Sequence, residues 1–559
     1  MRNSRYPAVL TVVVLLLAAC TNAPASSPST AASASGGPGA SGGTDQTKEG
    51  GTFVVAIPGD IDNLDMALIS DSNSSYVGNQ VMQGLVGLAP GSVDKIDPVL
   101  AESWEASTDG LTYTFKLRSG IKFHDGTDFN ADAVVYNYNR WLNLPAELQA
   151  LAYYFGAVFG FGSGSNITSV EAVDPSTVKF TLKQPQSNFL LAQTVASFFL
   201  SSPDALKKFD ADNPDIKKNK YMQESGMVGT GPFKFKEWVA GDHVTVEKNA
   251  DYWDTANAAH LDEIVFKEYP DQTAEFNALE TGSEVDFAQT IAPIDAQSAK
   301  DAGTLEIIDR GDSCNIGYLG LNQAKPPLDN PKIREAIAYA LNKQAYVDAF
   351  YAGAAVVADN WMPPATQFYK ALSLPTYDAE KAKAALTASG VSNPTIDFWY
   401  PSNVARPYMP DPKGLFEAIQ TDLEAAGFTV TPHTATWSPD YLDAEEVGKY
   451  QAFLLGWTCD WAGPDNFLNT FFGFKEDKPN PEFGYSNKQV DDWMLEALTL
   501  PDVAAQEDLW TKVQDQLAKD LPTIPLLHST PPAAAQKYVK GVIGSGALNE
   551  YFNTVWLDK

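Results

Sequence analysis

Positive charge is scarce in this 559-residue sequence. Lysine and arginine together number 39 against 70 acidic residues, which leaves a formal net charge of −31 at pH 7. So acidic a chain is repelled by nucleic acid and by anionic lipid surfaces, and we therefore exclude both as electrostatic partners. Solubility outside the cell accounts for most of this acidity.

Cysteine is equally scarce, with only Cys20, Cys314 and Cys459. So few thiols exclude both a disulfide-rich scaffold and a zinc site made of cysteines. Two interpretations remain open for Cys314 and Cys459. They form a single disulfide if the fold brings them together, or they are two small buried side chains.

Motifs for catalysis and metal binding are also missing. The five histidines are scattered without the H-E-x-x-H spacing of a zinc site, and no G-x-S-x-G elbow, P-loop or EF-hand loop occurs. A pair of carboxylates for glycoside hydrolysis is compatible with so many acidic residues, but nothing singles out such a pair. We therefore expect no catalytic residues, no metal and no cofactor.

The chain does contain a secretory signal at its N-terminus. Arg2 and Arg5 precede the apolar run 8–18, which is too short to span a membrane comfortably. The stretch LAAC that ends at Cys20 resembles the lipobox of bacterial lipoproteins. The resemblance implies a signal peptide over 1–19, cleavage before Cys20 and a lipid anchor on its thiol. An ordinary signal peptide with a chance cysteine is the alternative.

Two regions of different composition follow the signal. Residues 20–50 are rich in Ser, Gly and Ala and hold almost nothing that can be buried, so we predict a flexible tether. From residue 51 onward, a chain with 44% hydrophobic residues is ample for a buried core and too long for one ordinary domain. We expect two or three lobes.

Local patterns predict an α/β protein. Apolar and polar residues alternate in LTYTFKLR at 111–118 and in VKFTLK at 178–183, which predicts strands with one solvated face. Asn330 and Pro331 predict the start of a helix, whose apolar residues recur at a spacing of four towards a stop at Gly353.

The segment 394–467 predicts a ligand site. TIDFWY, FTVTP and QAFLLGW read as strands, and PKGLFEAIQTDLEAAG reads as a helix that ends at its glycine. Arg406 follows the first of these strands and Asp460 follows the last, at the edge where open α/β sheets bind ligands. Asp460 also lies between Trp457 and Trp461, and an ionised carboxylate beside aromatic surface requires a cation.

Several longer stretches carry a family resemblance. They are AESWEASTDGLTYTFKLRSGIKFHDGTDFNADAVVYNYNR at 101–140, VGTGPFKFKEWVAGDHVTVEKNADYW at 228–253, YLGLNQAKPPLDNPKIREAIAYALNK within 317–364, GWTCDWAGPDNF at 456–467 and the C-terminal VKGVIGSGALNEYF. Together they span nearly the whole chain after the tether. They resemble the peptide-binding family of ABC-transporter solute-binding proteins, which includes dipeptide, oligopeptide and nickel binders.

The resemblance implies an α/β, two-lobed periplasmic-binding-protein fold with an extra small domain inserted in the first lobe. Residues 51–84, 229–311 and 528–559 would form the first lobe. Residues 85–228 would form the inserted domain, and 312–527 would form the second lobe. Two strands that cross between the lobes would act as the hinge.

Within this family the sequence is most similar to the dipeptide-binding branch. There, an Arg in an R-P-Y motif receives the peptide carboxylate, and an Asp after a G-W-T strand end receives the α-ammonium. A dipeptide zwitterion spans roughly 7 Å, so two fixed charges could gauge ligand length. Gly463 and Trp461 depart from the branch, which changes the expected pocket width. The matching ligand-binding residues are Arg406, Tyr408, Trp457, Cys459, Asp460 and Trp461.

The expected function is therefore that of a receptor and not of an enzyme. We expect a monomeric lipoprotein on the extracytoplasmic face of the cell membrane that captures short peptides and delivers them to an ABC permease. One alternative keeps the fold but changes the cargo to a nickel chelate, haem or an oligosaccharide. A surface hydrolase is a second alternative. Another interpretation of the site is that Arg406 and Asp460 pair with each other or with surface neighbours.

Overall fold

The structure, a computed structural model, describes residues 47–559. The expected signal peptide, Cys20 and most of the expected tether lie outside the described residues. Three sheets of four or more strands and a set of connecting helices form an α/β fold, which confirms the predicted class. In residues 47–559, no helix is both long enough and apolar enough to cross a membrane.

A seven-stranded sheet combines strands from the two ends and the middle of the chain. Its central strand, Thr52–Ile57, runs parallel to both of its neighbours, and the remaining pairs are antiparallel. The sequence TFVVAI of this strand is almost continuously apolar, as expected for a central parallel strand that is covered on both faces. The strand order is Glu306–Ile308, Ala533–Ala535, Phe287–Ala288, Thr52–Ile57, Glu263–Glu268, His243–Lys248 and Phe233–Val239.

A six-stranded sheet is formed by the second half of the chain. All seven residues of Asn315–Leu321 are buried, and this strand pairs antiparallel with Ala452–Thr458 on one side and with Ile524–Ser529 on the other. Thr395–Ser402 pairs in parallel with Ala452–Thr458 and with Thr429–Thr436. The strand order is Ala355–Val357, Ile524–Ser529, Asn315–Leu321, Ala452–Thr458, Thr395–Ser402 and Thr429–Thr436.

A four-stranded antiparallel sheet lies within residues 101–182. The strands Thr112–Leu117 and Thr177–Leu182 confirm the prediction from alternating residues. Their apolar positions, such as Phe115 and Phe180, belong to a separate hydrophobic core. The order is Ala101–Ala106, Thr112–Leu117, Thr177–Leu182 and Ile167–Asp174. The two-stranded pairs are Val86–Leu88 with Ile96–Pro98, Phe474–Lys475 with Lys478–Pro479, and Val539–Lys540 with Trp556–Leu557.

The helix Pro412–Ala426 begins and ends at capping residues that are recognisable in the sequence. Asp411 accepts a hydrogen bond from the Gly414 N–H at the start of Pro412–Ala426, and Gly427 ends that helix with a positive φ of 107°, as the sequence predicted. The α-helices are Ser72–Val81, Ala131–Leu142, Ala146–Gln149, Tyr153–Val158, Phe189–Ala192, Pro203–Lys208, Lys220–Gln223, Gln272–Thr281, Pro293–Ala302, Pro331–Ala340, Lys343–Phe350, Ala379–Ala388, Pro412–Ala426, Leu442–Glu446, Pro464–Phe472, Lys488–Thr499 and Val503–Asp520.

One helix ends earlier than its pattern predicted. Asn330 caps Pro331–Ala340 as expected, but the predicted continuation towards Gly353 is wrong. The side chain of Asn342 accepts a hydrogen bond from the Ala345 N–H and starts a second helix, Lys343–Phe350. An asparagine that caps a new helix interrupts the old one, although the apolar spacing continues across the break.

Two short connections join the two large sheets. Residues 309–314 and 530–532 each link a strand of the seven-stranded sheet to a strand of the six-stranded sheet. The hydroxyl of Ser313 and the side-chain amide of Asn315 both donate to the backbone oxygen of Ser529, at 2.6 and 2.7 Å. The two connections therefore lie side by side. The lobe limits expected from the sequence stay a prediction.

A buried arginine, Arg310, stabilises these connections through hydrogen bonds. Arg310 donates to the carboxylate of Glu550 at 2.7 Å, to the oxygen of Pro531 at 2.8 Å and to the oxygen of Gln289 at 2.7 Å. The hydroxyl of Tyr76 donates to the second oxygen of Glu550 at 3.0 Å. The side chains of Arg310 and Glu550 are both fully buried. Removal of either one would leave the other charge buried without a counter-charge, which is strongly destabilising.

Candidate ligand-binding site

The two predicted charged residues, Arg406 and Asp460, follow strands that end at the same edge of the six-stranded sheet. Thr395–Ser402 and Ala452–Thr458 are parallel neighbours, so their carboxyl ends lie at the same edge of the sheet. Arg406 follows the first strand and Asp460 follows the second, as predicted.

Asp460 is held by neutral donors. The hydroxyl of Tyr154 donates to Oδ1 at 2.7 Å, and the side-chain amide of Asn466 donates to Oδ2 at 2.9 Å. The N–H of Asp460 in turn donates to the side-chain oxygen of Asn466 at 2.9 Å. Burial raises the pKa of Asp460, and these hydrogen bonds act against that rise. Among residues 47–559, no basic side chain forms an ion pair with this carboxylate.

Two tryptophans flank Asp460, as the sequence predicted. The indole N–H of Trp457 donates to the side-chain oxygen of Asn466 at 3.2 Å, and that of Trp461 donates to Oδ2 of Asp465 at 3.0 Å. Trp461 is buried and packs against an apolar cluster from the first half of the chain. Both indoles therefore have their polar atoms satisfied and present apolar surface beside the carboxylate.

A cavity of about 480 Å³ opens at this carboxylate. One wall comes from residues 153–188 and the other from residues 457–499, so distant parts of the chain enclose it. This volume is typical of a pocket for a small ligand. Many of the lining side chains are amides or hydroxyls that can bond a polar ligand, namely Asn166, Gln184, Gln186, Asn188, Asn466, Asn469, Thr470 and Thr499.

A second carboxylate, Asp465, lies in the same cavity. The side-chain amide of Asn188 donates to Oδ2 of Asp465 at 2.6 Å, and Gln186 donates to Asn188 at 2.9 Å. Burial raises the pKa of Asp465 to about 6. Sequence reasoning missed Asp465 and Asn188. The first lies within the quoted GPDNF stretch, but nothing local to Asn188 indicated its role.

Arg406 lines a different and smaller cavity, together with residues 290–293 and 531–532. Its guanidinium lies 4.6 Å from the centre of the Trp437 ring, and its Nε has no hydrogen-bond partner among the described residues. The two cavities share no lining residue. Within residues 47–559, Arg406 and Asp460 do not form an ion pair with each other, which removes the interpretation of direct pairing.

Tyr408 and Cys459 lie beside the site and outside both cavities. Tyr408 is buried, and its ring packs directly against Gly456. A Cβ atom on residue 456 would come within 2.3 Å of that ring. Cys459 forms a disulfide with Cys314, which decides between the two interpretations of these cysteines. Both residues therefore position the strand end from which Asp460 projects.

Comparison with known proteins supports the same kind of molecule. Residues 95–478 match the family described as bacterial extracellular solute-binding proteins, family 5 Middle. The chain is 31% identical to the dipeptide-binding protein of Escherichia coli K12, over 87% of this chain and 90% of that protein. It is also 31% identical to heme-binding protein A of Haemophilus influenzae, over 98% of each.

A solved structure extends this similarity to three dimensions. The ABC transporter-associated periplasmic binding protein DppA from Helicobacter pylori, in complex with the peptide STSA, superposes with a TM-score of 0.75 at 29% identity. The alignment covers 92% of this chain and 99% of that chain. Fold and sequence thus define an extracytoplasmic solute-binding protein of the periplasmic-binding-protein type. The chain belongs to the bacterial extracellular solute-binding proteins, family 5, the peptide- and nickel-binding ABC-transporter family that its sequence resembled.

Proposed function

We propose that this protein captures short peptides outside the cytoplasm and delivers them to an ABC import permease. The observation that carries the proposal is Asp460, a carboxylate enclosed at a cavity wall with only neutral donors around it. A buried negative charge is stabilised most by a cation that arrives with the ligand. The α-ammonium of a peptide supplies that charge together with N–H donors.

The rest of the cavity supports a peptide as the occupant. Peptide bonds offer one donor and one acceptor per residue, and the amide side chains along the walls can pair with both. Trp457 and Trp461 add apolar surface that accepts different side chains without specific bonds. The similar proteins named for dipeptide binding or solved with a peptide agree with this proposal.

Closure over the ligand is part of the proposal. Tyr154 and Asn188 belong to the region 85–228 that we propose as an inserted domain, and they donate to Asp460 and Asp465 of the proposed second lobe. A ligand held between these regions is removed from water on both sides. Arg406, whose Nε lacks a partner among the described residues, remains the sequence-derived proposal for the peptide carboxylate.

Calorimetry on the purified protein tests the proposal. Trialanine with a free amino terminus should bind, and N-acetyltrialanine should bind at least about 30-fold more weakly, because acetylation removes the cation that Asp460 requires. Native mass spectrometry of the untreated protein should show co-purified peptide. Equal affinity for the two forms would argue against recognition of an amino terminus.

Haem is a second candidate cargo, because the chain is 31% identical to heme-binding protein A over 98% of its length. Visible absorption spectra recorded during titration with haemin separate the two cargoes. A saturable shift of the Soret band would support haem. Competition between trialanine and haemin would show that both use the same cavity.

We also propose that the mature protein is a lipoprotein anchored through Cys20. The disulfide between Cys314 and Cys459 is in keeping with an oxidising, extracytoplasmic location. A Cys20→Ala variant should be released to the medium or remain as an uncleaved precursor, because stable anchoring requires the lipid on this thiol. Fractionation of cells followed by mass spectrometry of the N-terminus measures both outcomes. Membrane retention of a processed Cys20→Ala protein would contradict the proposal.

A further inference from the structure

The side chain of Arg406 is held by an aromatic ring. Its Cζ lies 4.6 Å from the centre of the half-buried Trp437 ring, a distance at which a guanidinium and an indole attract each other. Its Nε is buried and has no hydrogen-bond partner among residues 47–559. Stacking uses the flat face of the guanidinium and leaves the N–H donors at its edge for a ligand.

Hydrogen bonds fix the backbone of this arginine. The N–H of Arg406 donates to the oxygen of Met409 at 3.0 Å, and the N–H of Met409 donates to the oxygen of Arg406 at 2.8 Å, so the two residues close a tight turn. The hydroxyl of Ser529 donates to the oxygen of Pro407 inside this turn at 2.7 Å. The backbone therefore sets where the side chain starts, and the contact with Trp437 sets where the guanidinium lies.

A buried tyrosine supports the Trp437 ring. The ring of Tyr441 stacks on that of Trp437 with an angle of 17° between the planes and 6.1 Å between the centres. The hydroxyl of Tyr441 donates to the oxygen of Leu454 at 2.8 Å and also contacts the oxygen of Trp399 at 3.2 Å. These two oxygens belong to the two strands whose ends carry the predicted charged residues. The stack is thus built on the same strands as the site.

Such a stack favours the binding of an anion. A free arginine side chain has several rotatable bonds and loses their freedom when it binds a carboxylate. The contact with Trp437 restricts the side chain before a ligand arrives, so less freedom is lost on binding.

We propose that Trp437 positions Arg406 to receive the C-terminal carboxylate of the ligand. This inference rests on the proposed function and adds to it a residue that acts through the arginine and not on the ligand itself. Trp437 lines neither of the two cavities described above, whereas Arg406 lines one of them. The sequence analysis did not single out Trp437.

Blocked peptides and a set of variants test the inference. We would use calorimetry to measure the binding of trialanine, trialanine amide and N-acetyltrialanine to the wild type and to each variant. Trp437→Leu removes the aromatic ring, and Trp437→Phe keeps one. Trp399→Leu is the matched control, because Trp399 stacks on His433 and Tyr450 instead. Thermal unfolding measures how far each substitution destabilises the protein.

The expected loss concerns only the carboxyl end of the peptide. The wild type should bind trialanine about 30-fold more tightly than trialanine amide, because amidation removes the charge that Arg406 meets. Trp437→Leu should bind trialanine about 5-fold more weakly and the amide as the wild type does, so that about 6-fold discrimination remains. Trp437→Phe should stay within about 2-fold of the wild type. The preference for a free amino terminus should not change in either variant.

A double variant separates positioning from a general effect on the fold. In a protein that already carries Arg406→Gln, Trp437→Leu should change the affinity for trialanine by less than about 2-fold, because the arginine through which Trp437 acts is absent. Trp399→Leu should lower the temperature of unfolding and keep the full discrimination against the amide.

The outcomes that contradict the inference differ from those that contradict the proposed function. If Trp437→Leu keeps the full discrimination against the amide, or loses the preference for a free amino terminus to the same extent, Trp437 does not position Arg406, although the proposed function stands. If the wild type binds trialanine and its amide equally, Arg406 does not receive the carboxylate and the inference fails. If the wild type binds no free peptide, the proposed function itself fails.

Discussion

Replacement of Asp460 by asparagine should weaken the binding of a peptide with a free amino terminus by on the order of 30- to several-thousand-fold, or 2–5 kcal/mol. The loss is large because the peptide ammonium would still be removed from water but would no longer meet a negative charge. Calorimetry with free and N-acetylated trialanine measures it. Acetylation should cost the wild type far more than the Asp460→Asn variant.

Asparagine at position 460 can stay in hydrogen-bond contact with both Tyr154 and Asn466, so the substitution mainly removes the charge. The oxygen of the new amide can accept from Asn466, and its nitrogen can donate to the hydroxyl of Tyr154, which then changes from a donor to an acceptor in this contact. Because burial disfavours the ionised form of Asp460, the free variant should be at least as stable as the wild type.

Asp465→Asn is the matched control for this experiment. It also removes a buried carboxylate from the same cavity, and this carboxylate likewise accepts from two neutral side chains, Asn188 and Trp461. The control should keep most of the preference for a free amino terminus. If Asp465→Asn abolishes that preference and Asp460→Asn does not, the ammonium is bound at Asp465.

Removal of the disulfide should be the most destabilising change outside the ligand site. Cys314 and Cys459 are 145 residues apart in sequence, and closing so long a loop restricts the unfolded chain strongly. The chain-entropy estimate is about 5 kcal/mol, and measured losses for native disulfides are typically 2–5 kcal/mol. We expect a loss of that size for the double variant Cys314→Ala with Cys459→Ala, measured by urea denaturation under oxidising conditions.

A reducing agent provides the control for the disulfide. Reduced wild type should unfold at nearly the same urea concentration as the double variant, because both lack the cross-link. The urea midpoint of the double variant should not change when the reducing agent is added. An oxidised wild type no more stable than the double variant would contradict a stabilising role for the bond.

Local signals predicted the elements of residues 394–467 well, in contrast to the helix expected from Asn330 to Gly353. The helix Pro412–Ala426 has an aspartate cap, a proline at its start and a glycine at its end, and all three act within one turn of the helix. The strands Thr395–Ser402 and Ala452–Thr458 follow from short apolar runs between polar loops. The sequence could therefore place Asp460 and Arg406 at strand ends without knowledge of the tertiary fold.

Long-range contacts were beyond such reasoning. Tyr154 is 306 residues from Asp460 in sequence, and Asn188 is 277 residues from Asp465. No local pattern indicates which distant tyrosine or asparagine completes a site, because tertiary packing alone brings these side chains together. Sequence patterns could place Arg406 and Asp460 at strand ends, but they could not show that the two residues line separate cavities, because cavity walls depend on long-range packing.

The disulfide also determines how movement can pass through the molecule. Cys314 ends the connection 309–314 between the two large sheets, and Cys459 directly precedes Asp460. The Asp460 carboxylate is thus joined to the inter-sheet connection by a few covalent bonds that bypass most of the six-stranded sheet. If the two sheets turn against one another on ligand binding, as the proposed closure requires, this short covalent linkage would move the Asp460 carboxylate together with the connection. Under the proposed function, binding of a peptide at Asp460 would therefore be coupled to movement at the connection 309–314.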